Sequence, residues 1–258
     1  MPAFAEERHD INGVDTAVLT AGRGMPIVLL HGGGTAPGFD ELLPLAANAR
    51  LIVPIHPGFG ASADDPGVRG VQDVVLHYLD LFDRLGLDEV ALVGHSLGGC
   101  VAATIAILQP LRVRRLVLMA PWGLDVPEHP TVDISTIPAE QVPEYLYADM
   151  TPFAGLPPPP PEFLAERARE ASSLARVIGL RTYDPGLRKW LHRIAAPTLI
   201  LWGEADRLIP VAQAPIWAGL IPHSQVRTFP GVAHLLFNES PDAVAATADF
   251  GGAREAGR

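Results

Sequence analysis

The fold is indicated by residues 90–99, which read Val90-Ala91-Leu92-Val93-Gly94-His95-Ser96-Leu97-Gly98-Gly99. The apolar run ends at a serine between glycines, and a helical pattern then continues to Leu108. This order predicts a strand, a sharp turn and a helix. A serine at the apex of such a turn takes a positive φ, and the backbones beside it approach so closely that only glycine fits. Gly94 and Gly98 meet that requirement.

The predicted turn has a chemical use. It lifts the Ser96 hydroxyl off the end of the sheet and directs the N–H of Leu97 towards the position where an oxyanion would form. The pattern is the G-x-S-x-G nucleophile elbow. It predicts Ser96 as a nucleophile and Leu97 as one oxyanion donor.

Other apolar runs predict further strands that are buried on both faces. They alternate with helical patterns, which is typical of a mostly parallel sheet covered by helices. Residues 4–11 and 16–21 flank Asn12-Gly13 and predict a β-hairpin. The predicted buried strands are Pro26–Leu30, Leu51–Ile55, Val90–Val93, Leu116–Met119 and Thr198–Trp202, with Gln225–Phe229 as the last strand.

The alternation stops once, between Trp122 and Ile194. This interval contains the proline run 157–161 and then a helical pattern from Glu162 to about Leu180. We therefore predict an α/β core formed by residues 1–121 and 195–258, with residues 122–194 inserted as a lid, called the lid segment below. Residues 251–258 are predicted to form a frayed tail.

The chain resembles the serine hydrolases of the α/β-hydrolase fold. The resemblance extends from His31-Gly32-Gly33-Gly34, after the Pro26–Leu30 strand, through the elbow to His234. It implies an α/β-hydrolase fold with a helical lid, a Ser-His-Asp triad and no cofactor or metal. It also implies that the glycine-rich loop supplies the second oxyanion donor, with Gly33 as first choice and Gly34 as second.

Two positions are candidates for the remaining triad members. His234 follows the last predicted strand, where the family places its base. Asp206 follows the Thr198–Trp202 strand and precedes the base in the chain, which is the order expected for the orienting acid. Glu204 and Asp125 are its rivals. His95 is expected to shape the site without transferring a proton.

A further family feature follows the Leu51–Ile55 strand. Relatives often carry an Asp-x-Pro-Gly-x-Gly-x-Ser type of turn there, whereas this chain has His56-Pro57-Gly58-Phe59-Gly60-Ala61-Ser62. His56 stands near the position where an acidic residue is common. The sequence offers no physical account of that change.

Composition excludes several classes of function. The formal net charge of -10 and the pI near 5.3 argue against a nucleic-acid surface, and Arg112, Arg114 and Arg115 are predicted to form a solvated turn. The acidic first ten residues do not resemble a secretory signal, and no apolar run is long enough to cross a membrane. We therefore expect a cytoplasmic protein without membrane contact. Cys100 is the only cysteine, which excludes an internal disulfide.

These observations predict a hydrolase of the carboxylesterase type that acts on a small-molecule substrate. Apolar residues of the lid segment are candidate pocket walls for a small or medium, largely apolar group. Two alternatives stay open: a carbon–carbon bond hydrolase of ring-cleavage products, and a non-hydrolytic ligand-binding or lyase-type member of the fold. The first commonly has Asn where this chain has His95. The choice between monomer and homodimer also stays open. The candidate walls are Trp122, Leu124, Tyr145, Leu146, Tyr147, Met150, Phe153, Leu156, Phe163 and Trp190.

Overall fold

The computed structural model describes residues 3–36, 38–179 and 181–252. Its centre is one eight-stranded sheet with the strand order β1-β2-β4-β3-β5-β6-β7-β8. The strands are β1 (Ala5–Ile11), β2 (Val14–Gly22), β3 (Pro26–Leu30), β4 (Arg50–Pro54), β5 (Val90–His95), β6 (Val113–Met119), β7 (Thr198–Gly203) and β8 (Ser224–Phe229).

The first two strands form the predicted hairpin. Asn12 and Gly13 connect them with φ values of 53° and 87°, which asparagine and glycine tolerate better than other residues do. β1 pairs with β2 and β2 pairs with β4, both antiparallel. Every other neighbouring pair, from β4–β3 to β7–β8, is parallel. The predicted α/β fold with a mostly parallel sheet is therefore confirmed.

Helices cover both faces of this sheet, and the three central strands β3, β5 and β6 are almost entirely buried. Asp40–Ala47 and Val211–Gln213 are 3₁₀ helices, and the second leads directly into an α-helix. The α-helices are α1 (Val71–Arg84), α2 (Leu97–Leu108), α3 (Val142–Leu146), α4 (Pro161–Ile178), α5 (Leu187–Trp190), α6 (Ala214–Leu220), α7 (Leu236–Glu239) and α8 (Pro241–Gly252).

The lid segment lies between β6 and β7. It contains α3, α4 and α5 with short 3₁₀ turns, and none of the eight strands falls within it. The division of the chain into core and lid stays a prediction. Of the predicted tail, Gly251 and Gly252 belong to α8, and residues 253–258 lie outside the described residues. Residue 180, where the sequence predicts the end of the lid helix, also lies outside them.

The expected turn before a strand is present at Arg112, but the expectation is wrong for Arg114 and Arg115. Arg114 and Arg115 lie within β6, where their side chains are only partly exposed. The Arg112 guanidinium pairs with Asp83 at 2.7 Å, and Arg114 donates to the carbonyl of Gly251. Long arginine stems can pack on apolar neighbours while the charged group reaches a partner, so a basic stretch does not by itself predict a loop.

No helix within residues 3–36, 38–179 and 181–252 is long and apolar enough to cross a membrane.

Candidate active site

Ser96 lies between β5 and α2 with φ 53° and ψ −117°. A β-carbon added to Gly98 would overlap the carbonyl oxygens of Leu30 and His31, at and just after the end of β3, and one added to Gly94 would overlap the backbone of Gly98. Both glycines are thus required by close backbone approach. The hydroxyl stands at the carboxyl end of β5, and Leu97 supplies one of the first N–H groups of α2, which have no acceptor within the helix.

His234 and Asp206 lie against each other, although they are 28 positions apart in the sequence. Nδ1 of His234 is 2.8 Å from Oδ2 of Asp206, and both side chains are almost completely buried. The other carboxylate oxygen accepts hydrogen bonds from the N–H groups of Leu208 and Ile209, each at 2.9 Å. An ionised carboxylate can only accept, so the imidazole proton is on Nδ1 and the lone pair of Nε2 is available as a base.

The rival carboxylates lie elsewhere. Glu204 is exposed and accepts a hydrogen bond from the hydroxyl of Thr228. Asp125 is exposed, and its backbone carbonyl accepts from Arg188. Among these three acids, the structure pairs only Asp206 with His234.

His95 connects the elbow to the His234 loop. Its Nε2 donates to the backbone carbonyl of His234 at 2.9 Å, and the two rings lie 4.9 Å apart between centroids. Burial and the neighbouring His234 lower the pKa of His95 to about 3, so the ring is neutral. In the described part of the chain, no hydrogen bond joins the Ser96 hydroxyl to His234. Such contacts often tighten only when substrate binds.

The glycine-rich loop lies beside the elbow. A β-carbon on Gly32 would come within 3.2 Å of Cβ of Ser96, and one on Gly33 would come within 2.8 Å of the Leu174 side chain on α4. The loop therefore runs between the predicted nucleophile and the lid segment, with little room for any side chain. Its N–H groups can approach a substrate closely for the same reason.

A buried carboxylate on α4 joins the lid segment to this loop. Glu170 accepts from the N–H and hydroxyl of Thr35 and from the N–H of Gly60, and it pairs with Arg167 at 2.6 Å. Its side chain is 1% exposed. Sequence reasoning missed Glu170, because one acidic residue in a polar helix carries no signal of burial. The tight packing of Gly33 and Gly34 against α4 could only be seen in three dimensions.

A cavity of about 580 Å³ lies between the start of α1 and the end of α4. Trp122 forms part of its wall, and the N–H of Trp122 donates to the carbonyl of Ser96 at 2.9 Å. Two guanidinium groups, Arg69 and Arg181, line it together with apolar side chains. Among the ten predicted walls, only Trp122 belongs to the lining, and Ser96 and His234 do not. The lining residues are Arg69, Gly70, Val71, Trp122, Val177, Ile178, Gly179, Arg181, Tyr183, Asp184 and Pro185.

No group of three or more His, Cys, Asp or Glu side chains in the described part of the chain is arranged to hold a metal ion. Cys100, the free cysteine, is buried on α2, and burial raises its thiol pKa well above the usual value. Burial therefore disfavours the reactive thiolate form of Cys100.

Known proteins are similar to this chain over most of its length. A 2-hydroxy-6-oxo-2,4-heptadienoate hydrolase of Pseudomonas putida is 32% identical, over 86% of this chain and 87% of its own length. A 2-hydroxy-6-oxo-6-(2'-aminophenyl)hexa-2,4-dienoic acid hydrolase of Metapseudomonas resinovorans is 28% identical, over 93% of this chain and 88% of its own.

A solved structure is also similar to nearly the whole of this chain. A serine hydrolase involved in carbazole degradation superposes with a TM-score of 0.79 and 26% identity, covering 98% of this chain and all of the other. The profile of the alpha/beta hydrolase family matches residues 27–247, which include the elbow, the glycine-rich loop and both partners of the His–Asp pair. This chain is a hydrolase and belongs to the alpha/beta hydrolase family.

Proposed function

We propose that this protein is a serine hydrolase that cleaves a carbon–carbon bond next to a ketone in an acidic 2-hydroxy-6-oxo-dienoate. Ser96 is the nucleophile, His234 accepts and returns its proton, and Asp206 holds the imidazole. The N–H groups of Leu97 and Gly33 stabilise the oxyanion formed when the C6 carbonyl is attacked. The proposal requires no cofactor.

The observation that carries this proposal is the agreement among four relatives that each match 86% or more of this chain, whereas others are named as putative carbamate hydrolases. The four are named as hydrolases of 2-hydroxy-6-oxo-dienoates or of 2-hydroxymuconate semialdehyde. Hydrolysis of such a dienoate between C5 and C6 consumes one water. The hydroxyl goes to C6 as a carboxylic acid, and a proton goes to C5 of the released 2-hydroxypenta-2,4-dienoate.

The cavity beside Trp122 supports an acidic substrate of this kind. Its volume of about 580 Å³ lies in the range of small-molecule sites, and its walls are polar and apolar in similar parts. Arg69 and Arg181 bring two positive charges to the lining, and Asp184 brings one negative charge. A guanidinium binds a carboxylate through two parallel hydrogen bonds, so this pair suits the carboxylate of a dienoate.

Ester cleavage is the second candidate, and His95 is the observation that favours it. Where carbon–carbon bond hydrolases commonly have Asn, this chain has a neutral ring whose Nε2–H is already used by the carbonyl of His234. It cannot offer that N–H to a substrate as an amide side chain could. An ester needs less help, because its alcohol leaves more readily than carbon does.

The test is a substrate panel with the wild type, Ser96→Ala and Ser172→Ala. Ser172 is an exposed serine on α4 and serves as the control. The panel contains the 6-methyl and 6-phenyl 2-hydroxy-6-oxo-dienoates, followed by loss of their dienolate absorbance, and p-nitrophenyl esters. We expect turnover of a dienoate that Ser96→Ala abolishes and Ser172→Ala retains.

The other outcomes would each favour a different function. Cleavage of esters alone would replace the main proposal by the second candidate. Binding of dienoates with thermal stabilisation and no turnover would favour a non-hydrolytic protein.

We also propose residues 122–194 as the lid that covers this site. Location in the cytoplasm stays a prediction.

A further inference from the structure

A chain of buried hydrogen bonds runs from α1 to the glycine-rich loop. The Tyr78 hydroxyl contacts Nδ1 of His56. Nε2 of His56 lies 2.8 Å from the carbonyl oxygen of His31, and the backbone N–H of His56 donates to Nε2 of His31 at 3.0 Å. Nδ1 of His31 in turn lies 2.8 Å from the carbonyl oxygen of Gly32. All three side chains are buried.

The direction of every hydrogen bond in this chain follows from partners that have only one role. A backbone N–H can only donate, so Nε2 of His31 accepts and its proton is on Nδ1, which donates to Gly32. A carbonyl oxygen can only accept, so Nε2 of His56 carries the proton of that ring. Burial lowers the pKa of His31 to about 3 and that of His56 well below its usual value, so both rings are neutral. Nδ1 of His56 must then accept, and the donor is the Tyr78 hydroxyl.

The last bond of the chain sets the orientation of one peptide group. The Gly32–Gly33 peptide is planar and trans, so its C=O and N–H point in opposite directions. The carbonyl of Gly32 is held on the side of the His31 ring. The N–H of Gly33, the predicted oxyanion donor, is therefore turned to the opposite side of the loop. Glycine has no side chain to resist rotation of this peptide, so the orientation depends on such an anchor.

We propose that His56 and Tyr78 are positioning residues, which hold His31 and, through it, aim the N–H of Gly33 at the oxyanion. The inference rests on the proposed function, because it assumes attack of Ser96 on a carbonyl. It gives a role to His56, which stands near the position where relatives often have an acidic residue. A carboxylate in place of His56 could accept from the Tyr78 hydroxyl but could not donate to the carbonyl of His31, as Nε2–H of His56 does.

The test compares two replacements of His56. The amide of glutamine reaches about as far as Nε2, so His56→Gln can still donate to the carbonyl of His31. The shorter His56→Asn cannot. We expect His56→Asn to lower kcat by about tenfold to a hundredfold with KM within about twofold, since loss of a whole oxyanion donor costs about a hundredfold to a thousandfold. His56→Gln should recover most of this loss.

A second readout separates positioning from general damage to the fold. The affinity for a trifluoromethyl ketone, which forms a tetrahedral oxyanion on the serine, should fall by the same factor as kcat/KM. Tyr78→Phe removes one hydroxyl from the chain and should give a smaller loss of the same kind. The control is His77→Gln, next to Tyr78 on α1, because His77 contacts the Thr16 hydroxyl at 3.1 Å and not the loop.

The outcomes distinguish this inference from the proposed function. If a fluorophosphonate forms no adduct with the folded wild type at Ser96, the proposed function fails and the inference fails with it. If the wild type is labelled but the His56 and Tyr78 variants keep full kcat and analogue affinity, only the inference is overturned. It is also overturned if His77→Gln shows the same loss. If His56→Asn does not fold, Tyr78→Phe decides by the same two readouts.

Discussion

The carboxylate of Asp206 holds His234 with one oxygen and its own backbone with the other. Oδ2 is 2.8 Å from Nδ1 of His234, while Oδ1 accepts from two consecutive N–H groups, those of Leu208 and Ile209. The loop after β7 thus fixes the rotation of the carboxylate, and the carboxylate fixes the imidazole. Each carboxylate oxygen of Asp206 therefore has a defined partner, and the first prediction depends on this.

Replacement of Asp206 by asparagine should reverse the imidazole tautomer. The two backbone N–H groups require an oxygen at Oδ1, so the NH₂ of the amide must face Nδ1 of His234. Nδ1 would then accept, and the proton would move to Nε2, where it blocks transfer from Ser96. We expect Asp206→Asn to lower kcat about 10⁴-fold. Steady-state kinetics of the purified variant measures this.

The matched control for this variant is Glu204→Gln. Glu204 is exposed, two residues away on the same loop, and its carboxylate contacts Thr228 rather than His234. Its replacement should leave kcat within about twofold. A large loss in Glu204→Gln together with an active Asp206→Asn would show that the orienting acid is wrongly assigned.

Gly98 and Gly219 should respond oppositely to alanine. A methyl group at Gly98 would overlap the carbonyl oxygens of Leu30 and His31, whereas one at Gly219 on α6 would meet no atom within 4 Å. We expect Gly98→Ala to be recovered largely unfolded or with several kcal/mol less stability. Gly219→Ala should gain up to about 1 kcal/mol. Urea unfolding followed by circular dichroism gives both values, and equal stability of the two variants would contradict the close approach of α2 to β3.

The buried pair of Glu170 and Arg167 should matter far more than a neighbouring exposed contact. Every partner of Glu170 is a donor, so the amide of Glu170→Gln would turn an N–H₂ towards other donors and remove the nearer of the two carboxylates beside Arg167. We expect a loss of about 3–5 kcal/mol in the free energy of unfolding. Glu166→Gln on the same helix removes a half-exposed carboxylate 3.7 Å from Arg167 and should cost less than about 1 kcal/mol. Similar losses for both variants in urea unfolding would argue against the buried anchor.

Stability should decrease as the pH falls below about 6.5, because several histidines are buried in neutral form. Burial lowers the pKa of His31 and His95 to about 3 and that of His77 to about 4, from a usual value of 6.5. Between these limits the unfolded chain binds more protons than the folded one, so the free energy of unfolding decreases as the pH is lowered. Each such histidine contributes up to about 1.4 kcal/mol per pH unit. Above about pH 7 their contribution is complete and constant.

Urea unfolding at several values between pH 5 and 7, above the range where most carboxylates titrate, measures this slope. His77→Gln should reduce it by up to about one proton, because the carboxylates of Asp80 and Asp65 offset only part of the effect of burial on His77. His192→Gln, at an exposed position, should leave the slope unchanged. A stability that does not vary from pH 7 to 5 would contradict the neutral buried rings.

Local patterns were sufficient for the sheet and the elbow. Each predicted buried strand is present within a few residues of its expected bounds, and α2 has the expected bounds, Leu97–Leu108. These segments can be recognised in the sequence for two reasons. A strand covered on both faces must be apolar throughout, and a residue where two backbones meet at van der Waals distance must be glycine. The prediction for Arg114 and Arg115 was wrong, because the packing of an arginine side chain depends on neighbours that are distant in the sequence.

The sequence by itself determined the α/β fold, the hairpin, the turn at Ser96 and a short set of candidate site residues, because periodicity, glycine spacing and strand order are local properties of the chain. Only the tertiary structure decided that Asp206 rather than Glu204 or Asp125 faces His234, that Glu170 anchors α4 to Thr35 across 135 positions, and that His56 joins Tyr78 to His31. The reason is physical: a hydrogen bond is fixed within a few tenths of an ångström and by angle, and residues far apart in the chain reach that geometry only when the whole core has packed.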